Sequence, residues 1–364
     1  MYKRSTYQSE SKNSYRRKLI LQQPRTILKN ALRRRYGLDP KLSAQRQYNE
    51  QFAYGHREIL LEYSELPSDL IFKAIIPHGK IMPHALDPIV PSYDILDGSE
   101  ILQLLWRDDS SNEARKLGIL NVKPIGSPYL YALANKNQSI STTIKNLQML
   151  SRDYKWSLNE HQDVLETSHK VLYLPLHGWE GDVHKHAVPE DFLLRKIDPK
   201  RVKVCLGFLD FCDPEVRKIY IDLGWQLTCA GARDSLIVNS PAGGRRKFLY
   251  QLTEIFDDAD FIVANEFTTG LFYAAARGKS IGILPTTNRH EVTYSSWESI
   301  ENFHDTLSLQ REILPWLWGE KVLPQRMMSD MATALGVESF RQADFFHKQV
   351  EKIEFRGYGK NQAK

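Results

Sequence analysis

The sequence predicts an α/β fold built on doubly wound parallel sheets. In the second half of the chain, five short apolar runs (171–176, 202–208, 225–229, 261–264 and 281–284) are separated by helical patterns at 189–197, 214–223, 245–256 and 268–277. Strict alternation of strand and helix marks a parallel sheet with crossover helices. The runs are continuous rather than alternating, as expected of strands buried on both faces. At 364 residues the chain is long enough for two domains of ordinary size.

Residues 1–40 form a basic tail. They carry eleven Lys or Arg, from Lys3 to Arg35, against Glu10 and Asp39, a net charge of +9. The whole chain is only +5, so the remainder carries −4 and the globular body is mildly acidic. After Pro40 the composition becomes globular, and 41–165 reads as an N-terminal α/β domain. Leu70 to Ile76 is a strand ending at Pro77-His78-Gly79, followed by a Pro-rich loop through Pro91. Tyr93 to Leu96 is a short strand, and Ser99 starts a helix running toward Leu117. Asn121 to Ile125 is the next strand, turning at Gly126-Ser127-Pro128. Ile140 to Leu150 is helical, and the polar run 153–169 reads as the linker.

Residues 166–300 form the second α/β domain, and within it 260–285 is the most informative stretch of the chain. The apolar run Phe261 to Ala264 ends in a polar Asn265-Glu266 corner. Thr268 or Thr269 can accept hydrogen bonds from the first turn of the following helix, and Gly270 permits close approach to the backbone there. Gly278 closes that helix before the final strand. A polar corner at the carboxyl end of a parallel strand, facing a helix N-terminus, is where α/β proteins hold phosphorylated ligands. Residues 301–364 read as helices packing across the junction, with a bend at Pro315-Trp316-Leu317-Trp318.

Composition narrows the class further. Apolar content of 42% and charged content of 26% are those of a water-soluble globular protein. No apolar run is long enough to span a bilayer, and no hydrophobic leader is visible. Cys205, Cys212 and Cys229 show no CxxC spacing; Cys205 and Cys229 lie in apolar runs and read as core residues in a reducing compartment. The expectation is a cytoplasmic protein whose 1–40 tail suits an anionic membrane surface. Nucleic acid is not an expected partner, since no aromatic-basic interleaving continues into the body.

The loops, taken in order, resemble those of GT-B-type glycosyltransferases from bacterial surface-polysaccharide loci. They are distantly similar to the CDP-glycerol glycerophosphotransferases. Three signatures carry the resemblance: IIPHG (75–79), KPIGSPYLYAL (123–133) and the stretch from Asp260 to Leu284. It implies a GT-B-like architecture, two Rossmann-like parallel-sheet domains facing a cleft. It also implies metal-independent transfer from a nucleotide-sugar donor, a co-substrate rather than a resident cofactor, to a glycan or lipid-linked glycan acceptor. Lys80-Ile81-Met82-Pro83 replaces the polar Gly-Thr start that follows the first motif in the glycerophosphotransferases, pointing away from an alditol-phosphate substrate.

Each candidate residue has a chemical rationale. His78 follows a strand end and precedes a Gly, so its imidazole, titrating near neutrality, suits a base acting on an acceptor hydroxyl. The matching His of the glycerophosphotransferases is assigned that role. His177 and Gly178 follow the first strand of the second domain and could touch donor phosphates. Gly231 and Arg233 follow its third strand, where a guanidinium could neutralise a phosphate leaving group. Glu266 could bond ribose or sugar hydroxyls, and Thr268, Thr269 and Gly270 complete the donor corner. Each also has a purely structural reading, as a loop residue, surface ion pair or helix cap.

Other patterns do not fit chemistry. Gly278-Lys279-Ser280 mimics a phosphate-binding loop, but Tyr273 stands where that motif needs Gly. His177, His184 and His186 lack a carboxylate at ligand spacing, so no metal is expected. Asp108-Asp109 falls in a helical stretch. Two other functions fit the same sequence: a nucleotide-sugar epimerase of this fold, and a non-catalytic polysaccharide-assembly protein docked by its tail.

Overall fold

The computed structural model describes residues 53–68, 70, 74–76, 102–116, 121–154, 158–175, 197–231, 248–265, 268–284 and 314–350. The 1–40 tail, the expected strand at 93–96 and all but Ile197 of the expected helix at 189–197 lie outside these residues, and Ile197 is not helical.

The first half contributes α1 (His56–Tyr63), β1 (Ala74–Ile75), β2 (Leu102–Leu105), α2 (Asp108–Lys116), β3 (Val122–Pro124), α3 (Pro128–Asn135), α4 (Ile140–Asp153) and α5 (Leu158–Thr167). Its three strands pair in parallel in the order β1-β2-β3, with Ala74 opposite Leu102 and Gln103 opposite Val122.

Two expectations fail here. The helix expected from Ser99 begins only at Asp108, and Leu102 to Leu105 form a wholly buried strand instead. Leu-Gln-Leu-Leu suits a helix by propensity, but its place between β1 and β3 decides its conformation. The expected linker contains helix α5, whose Leu165 is fully buried against the second sheet.

The second half supplies β4 (Val171–Leu174), β5 (Val202–Cys205), α6 (Phe208–Cys212), α7 (Pro214–Ile221), β6 (Gln226–Thr228), α8 (Phe248–Asp257), β7 (Phe261–Ala264), α9 (Thr269–Ala276) and β8 (Ser280–Ile283). All five strands are parallel, in the order β6-β5-β4-β7-β8. The chain then continues through a short 3-10 turn (Pro315–Trp318), α10 (Pro324–Leu335) and a helical segment at 343–350.

Successive side chains of a strand face opposite ways, which explains the continuous apolar runs. Leu172, Leu174, Ile262 and Ala264 enter one core with residues of α3, α8 and α9. Val171, Tyr173, Phe261 and Val263 enter another with Leu165 of α5 and Tyr220 of α7. The fold is therefore mixed α/β with parallel sheets, compatible with a Rossmann-like unit. Both sheets feed the first core: Ala74, Leu102 and Leu104 share it with Leu172, Ile262 and Ile281.

Candidate functional site

Strand order locates the candidate site. In the five-stranded sheet the chain winds outward from β4 through β5 to β6, then returns to the other side of β4 for β7 and β8. The direction of winding reverses between β4 and β7, and ligands of open α/β sheets bind outside the carboxyl ends of the strands at such a reversal. The described residues there are Leu174 at the end of β4 and Pro175 after it, Asn265 after β7, and the first turn of α9.

That turn is built from the residues the sequence singled out. Thr268 has extended backbone geometry and caps α9, its Oγ1 accepting a hydrogen bond from the Gly270 amide at 3.4 Å. Thr269 is the first helical residue. Gly270 lies close to β4: a Cβ there would come within 3.1 Å of Leu174 Cδ1. The absent side chain thus seats the helix start on the end of β4. Thr268, Thr269 and Gly270 are half-exposed, whereas Leu271 to Ala276 are all buried. Only the amino-terminal turn of α9, the positive end of its dipole, is accessible beside the strand reversal.

Asn265 is a buried polar residue at the same point, 9% exposed; the sequence places it in the polar corner but assigns it no role of its own. Its signal is its place immediately after a four-residue apolar strand. Leu174 carries no such signal in the sequence, because only the folded sheet brings it to Gly270.

The remaining candidates divide by position. Gly231 is buried, has φ of 108° and follows β6, the edge strand, with β5 between it and β4. Its amide donates to Cys229 Sγ at 3.3 Å. The fold therefore gathers Thr268, Thr269 and Gly270 at the reversal and sets Gly231 at the sheet's far side. His78, His177, Gly178, Arg233 and Glu266 lie outside the described residues.

The carboxyl ends of β2 and β3 are occupied by the chain itself. The Ser127 amide donates to the Leu335 carbonyl at 2.8 Å, and the Gly126 amide to the Trp106 carbonyl at 3.0 Å. Gly336, at φ of 64°, lies so close that a Cβ on it would overlap the Trp106 carbonyl oxygen. The Gly126-Ser127-Pro128 corner does start a helix: Ser127 caps α3, accepting from the Tyr129 amide at 3.2 Å.

Two described titratable groups near the sheet, Tyr273 and Cys205, are shifted away from ionisation. Burial, eased by a hydrogen bond to Ser127, drives the Tyr273 phenol far above its ordinary range. Burial, reinforced by neighbouring Cys229, pushes the Cys205 thiol up to about 12. Both stay protonated at neutral pH, which suits packing and not nucleophilic attack. Among the described residues no group of three or more His, Cys, Asp or Glu is placed to hold a metal ion, and no helix is long and apolar enough to cross a membrane. Comparison of the chain with protein-family models and with curated proteins finds no match.

Proposed function

We propose that this chain binds a nucleotide-activated donor at the reversal between β4 and β7. On the strength of the sequence resemblance, we propose that it transfers the donor's sugar to a growing surface glycan as a GT-B-type glycosyltransferase. The observation that carries the donor site is the Thr268-capped start of α9, the one accessible turn of an otherwise buried helix, standing at the strand reversal. Amides at a helix start, together with its dipole, favour phosphate groups.

In this reading, His177 and Gly178 flank the donor phosphates from the segment after β4, and Glu266 bonds donor hydroxyls. Arg233 neutralises the leaving group, and His78 removes the acceptor proton. The two sheets act as the two Rossmann-like domains of a GT-B arrangement, and the 1–40 tail holds the protein at an anionic membrane surface on its cytoplasmic face. CMP-, UDP-, GDP- and CDP-linked donors are equally compatible with it.

One observation favours the epimerase alternative. The Gly336 turn fills the carboxyl ends of β2 and β3, where an acceptor-side crevice would otherwise open. An epimerase needs no acceptor, so acceptor dependence separates the two enzymes.

The test is a thermal-shift screen against CMP, CDP, UDP, GDP and their sugar conjugates. A ligand at 100 times its dissociation constant adds about 2.7 kcal/mol of stability. One nucleotide family is expected to raise the melting temperature of the wild type and to do so much less for Thr268→Ala. No shift with any of them at millimolar concentration would sink the donor site.

A further inference from the structure

The packing between the two sheets shows a linkage that a pair of domains opening onto a mobile cleft would lack. At its centre, Tyr129 of α3 stacks on Tyr273 of α9, ring centroids 4.3 Å apart and 16° from parallel. Trp106, just after β2, stacks on Tyr273 from another side at 6.2 Å. The Tyr129 hydroxyl lies 3.2 Å from Thr253 Oγ1 of α8. All these groups are buried in the core that both sheets share.

Two sets of polar contacts, both reached from residues 135–146, flank this seam. At the carboxyl end of α9, the amide of Gln138 donates to the Ala276 carbonyl at 2.9 Å and to Thr143 at 3.0 Å. Asn146 of α4 donates to the same Ala276 carbonyl at 3.0 Å. The Gln138 side-chain oxygen accepts from Arg277, whose guanidinium also grips Asp257 through two nitrogens, at 2.6 and 3.0 Å. Three residues before Gln138, at the carboxyl end of α3, Asn135 donates to the Tyr250 hydroxyl at 2.8 Å, which donates in turn to Glu62 at 2.8 Å. Lys136 pairs with Glu254 at 3.0 Å.

Gln138 is 6% exposed, and while the amides of residues 277–279 meet the carbonyls of Tyr273, Ala274 and Ala275, the Ala276 carbonyl is met by Gln138 and Asn146 from the first half of the chain. Parting the halves would break these hydrogen bonds and expose the shared apolar core to water at the same time. Interfaces that permit domain motion are instead small, polar and wet. We infer that the two sheets form a single rigid and cooperative body, latched at the carboxyl end of α9 by Gln138 and Asn146. The latch fixes α9 from the first half of the chain, so the helix start at the β4–β7 reversal is held in place by residues outside its own sheet. Ligand entry then proceeds without one sheet closing on the other. This holds whether or not the chain transfers sugar.

The test measures distance and cooperativity on the full chain. Spin labels at Lys123→Cys in β3 and Lys218→Cys in α7, with Cys205 and Cys229 changed to Ala and Cys212 to Ser, report the spacing of the sheets. One narrow distance distribution, the same with and without 10 mM CDP, UDP or GDP, is expected; a second population or a ligand-dependent shift would overturn the rigid body. Independently of label chemistry, hydrogen exchange of the natural sequence in rising urea compares peptides from 102–116 with peptides from 202–228. A shared midpoint is expected, and both peptides should move down together in Gln138→Ala/Asn146→Ala. Separate midpoints in the natural sequence would overturn the single unit. A shift confined to one sheet, or no shift, would overturn the latch.

Discussion

Gly270 and Leu174 meet where α9 begins and β4 ends, with only 3.1 Å between the Leu174 Cδ1 and the place a Gly270 Cβ would occupy. The backbone of Gly270 does not require glycine, so the constraint is space. Gly270→Ala asks a flexible methyl to shift by a few tenths of an ångström and should change stability by less than about 1 kcal/mol. Gly270→Val adds two methyls against a core side chain and should cost about 1–3 kcal/mol, the range for overpacking. Urea unfolding of the two variants checks the order; equal effects would mean that Leu174 moves freely.

The Thr268 cap should matter in proportion to its geometry. Losing a threonine cap costs about 0.5–2 kcal/mol, and the 3.4 Å bond places Thr268→Ala toward the lower end. Thr268→Ser keeps the oxygen and should recover most of the loss. A melting temperature for Thr268→Ala equal to that of the wild type would show that the cap is idle.

Gly336 offers a harsher substitution. Its φ of 64° disfavours side chains, and a Cβ would overlap the Trp106 carbonyl oxygen, a backbone atom that cannot swing away. Gly336→Ala should therefore cost more than about 3 kcal/mol, combining strain with displacement of the turn. Soluble yield and the urea midpoint report it, and a midpoint near that of the wild type would contradict this packing.

Asp258 gives the fold an acid-sensitive point. Hydrogen bonds from Lys170 and then Lys203, each at 2.6 Å, hold its carboxyl down to about 2 from an ordinary 3.8. A carboxylate with a lowered folded pKa stabilises above its unfolded value, and that contribution disappears as pH falls from about 4 toward 2. The side chain is 43% exposed, so the effect stays in the modest range of surface ion pairs. Asp258→Asn should lower stability at pH 7 and flatten the loss between pH 4 and 2. Identical acid-unfolding curves for variant and wild type would rule the contribution out.

How much of this could be read from sequence depended on where the deciding contacts lie. Phe261 to Ala264 matched its expected strand to the residue, because it is a four-residue apolar run with Asp260 before it and Asn265 after it. The Thr268 cap was also local, although the sequence left Thr268 and Thr269 equivalent. Leu102 to Leu105 were misread because their strand partners come from 74–75 and 122–124, a choice no local pattern reveals. The α5 helix was hidden by a polar surface around its buried anchor, Leu165. Nothing near Gly126 or Trp106 announces that Gly336 will pack there.

That last contact bears on the order in which the protein can be made. Ser339, in the turn that follows Gly336, hydrogen-bonds Asp108, 231 residues earlier in the chain. A ribosome adding about 5–20 residues per second needs on the order of 10–50 s to cover that distance. Throughout that interval the nascent first sheet stands without the segment that seals the ends of β2 and β3. The newborn chain is then most open to misassociation, and a chaperone holding it has its longest task.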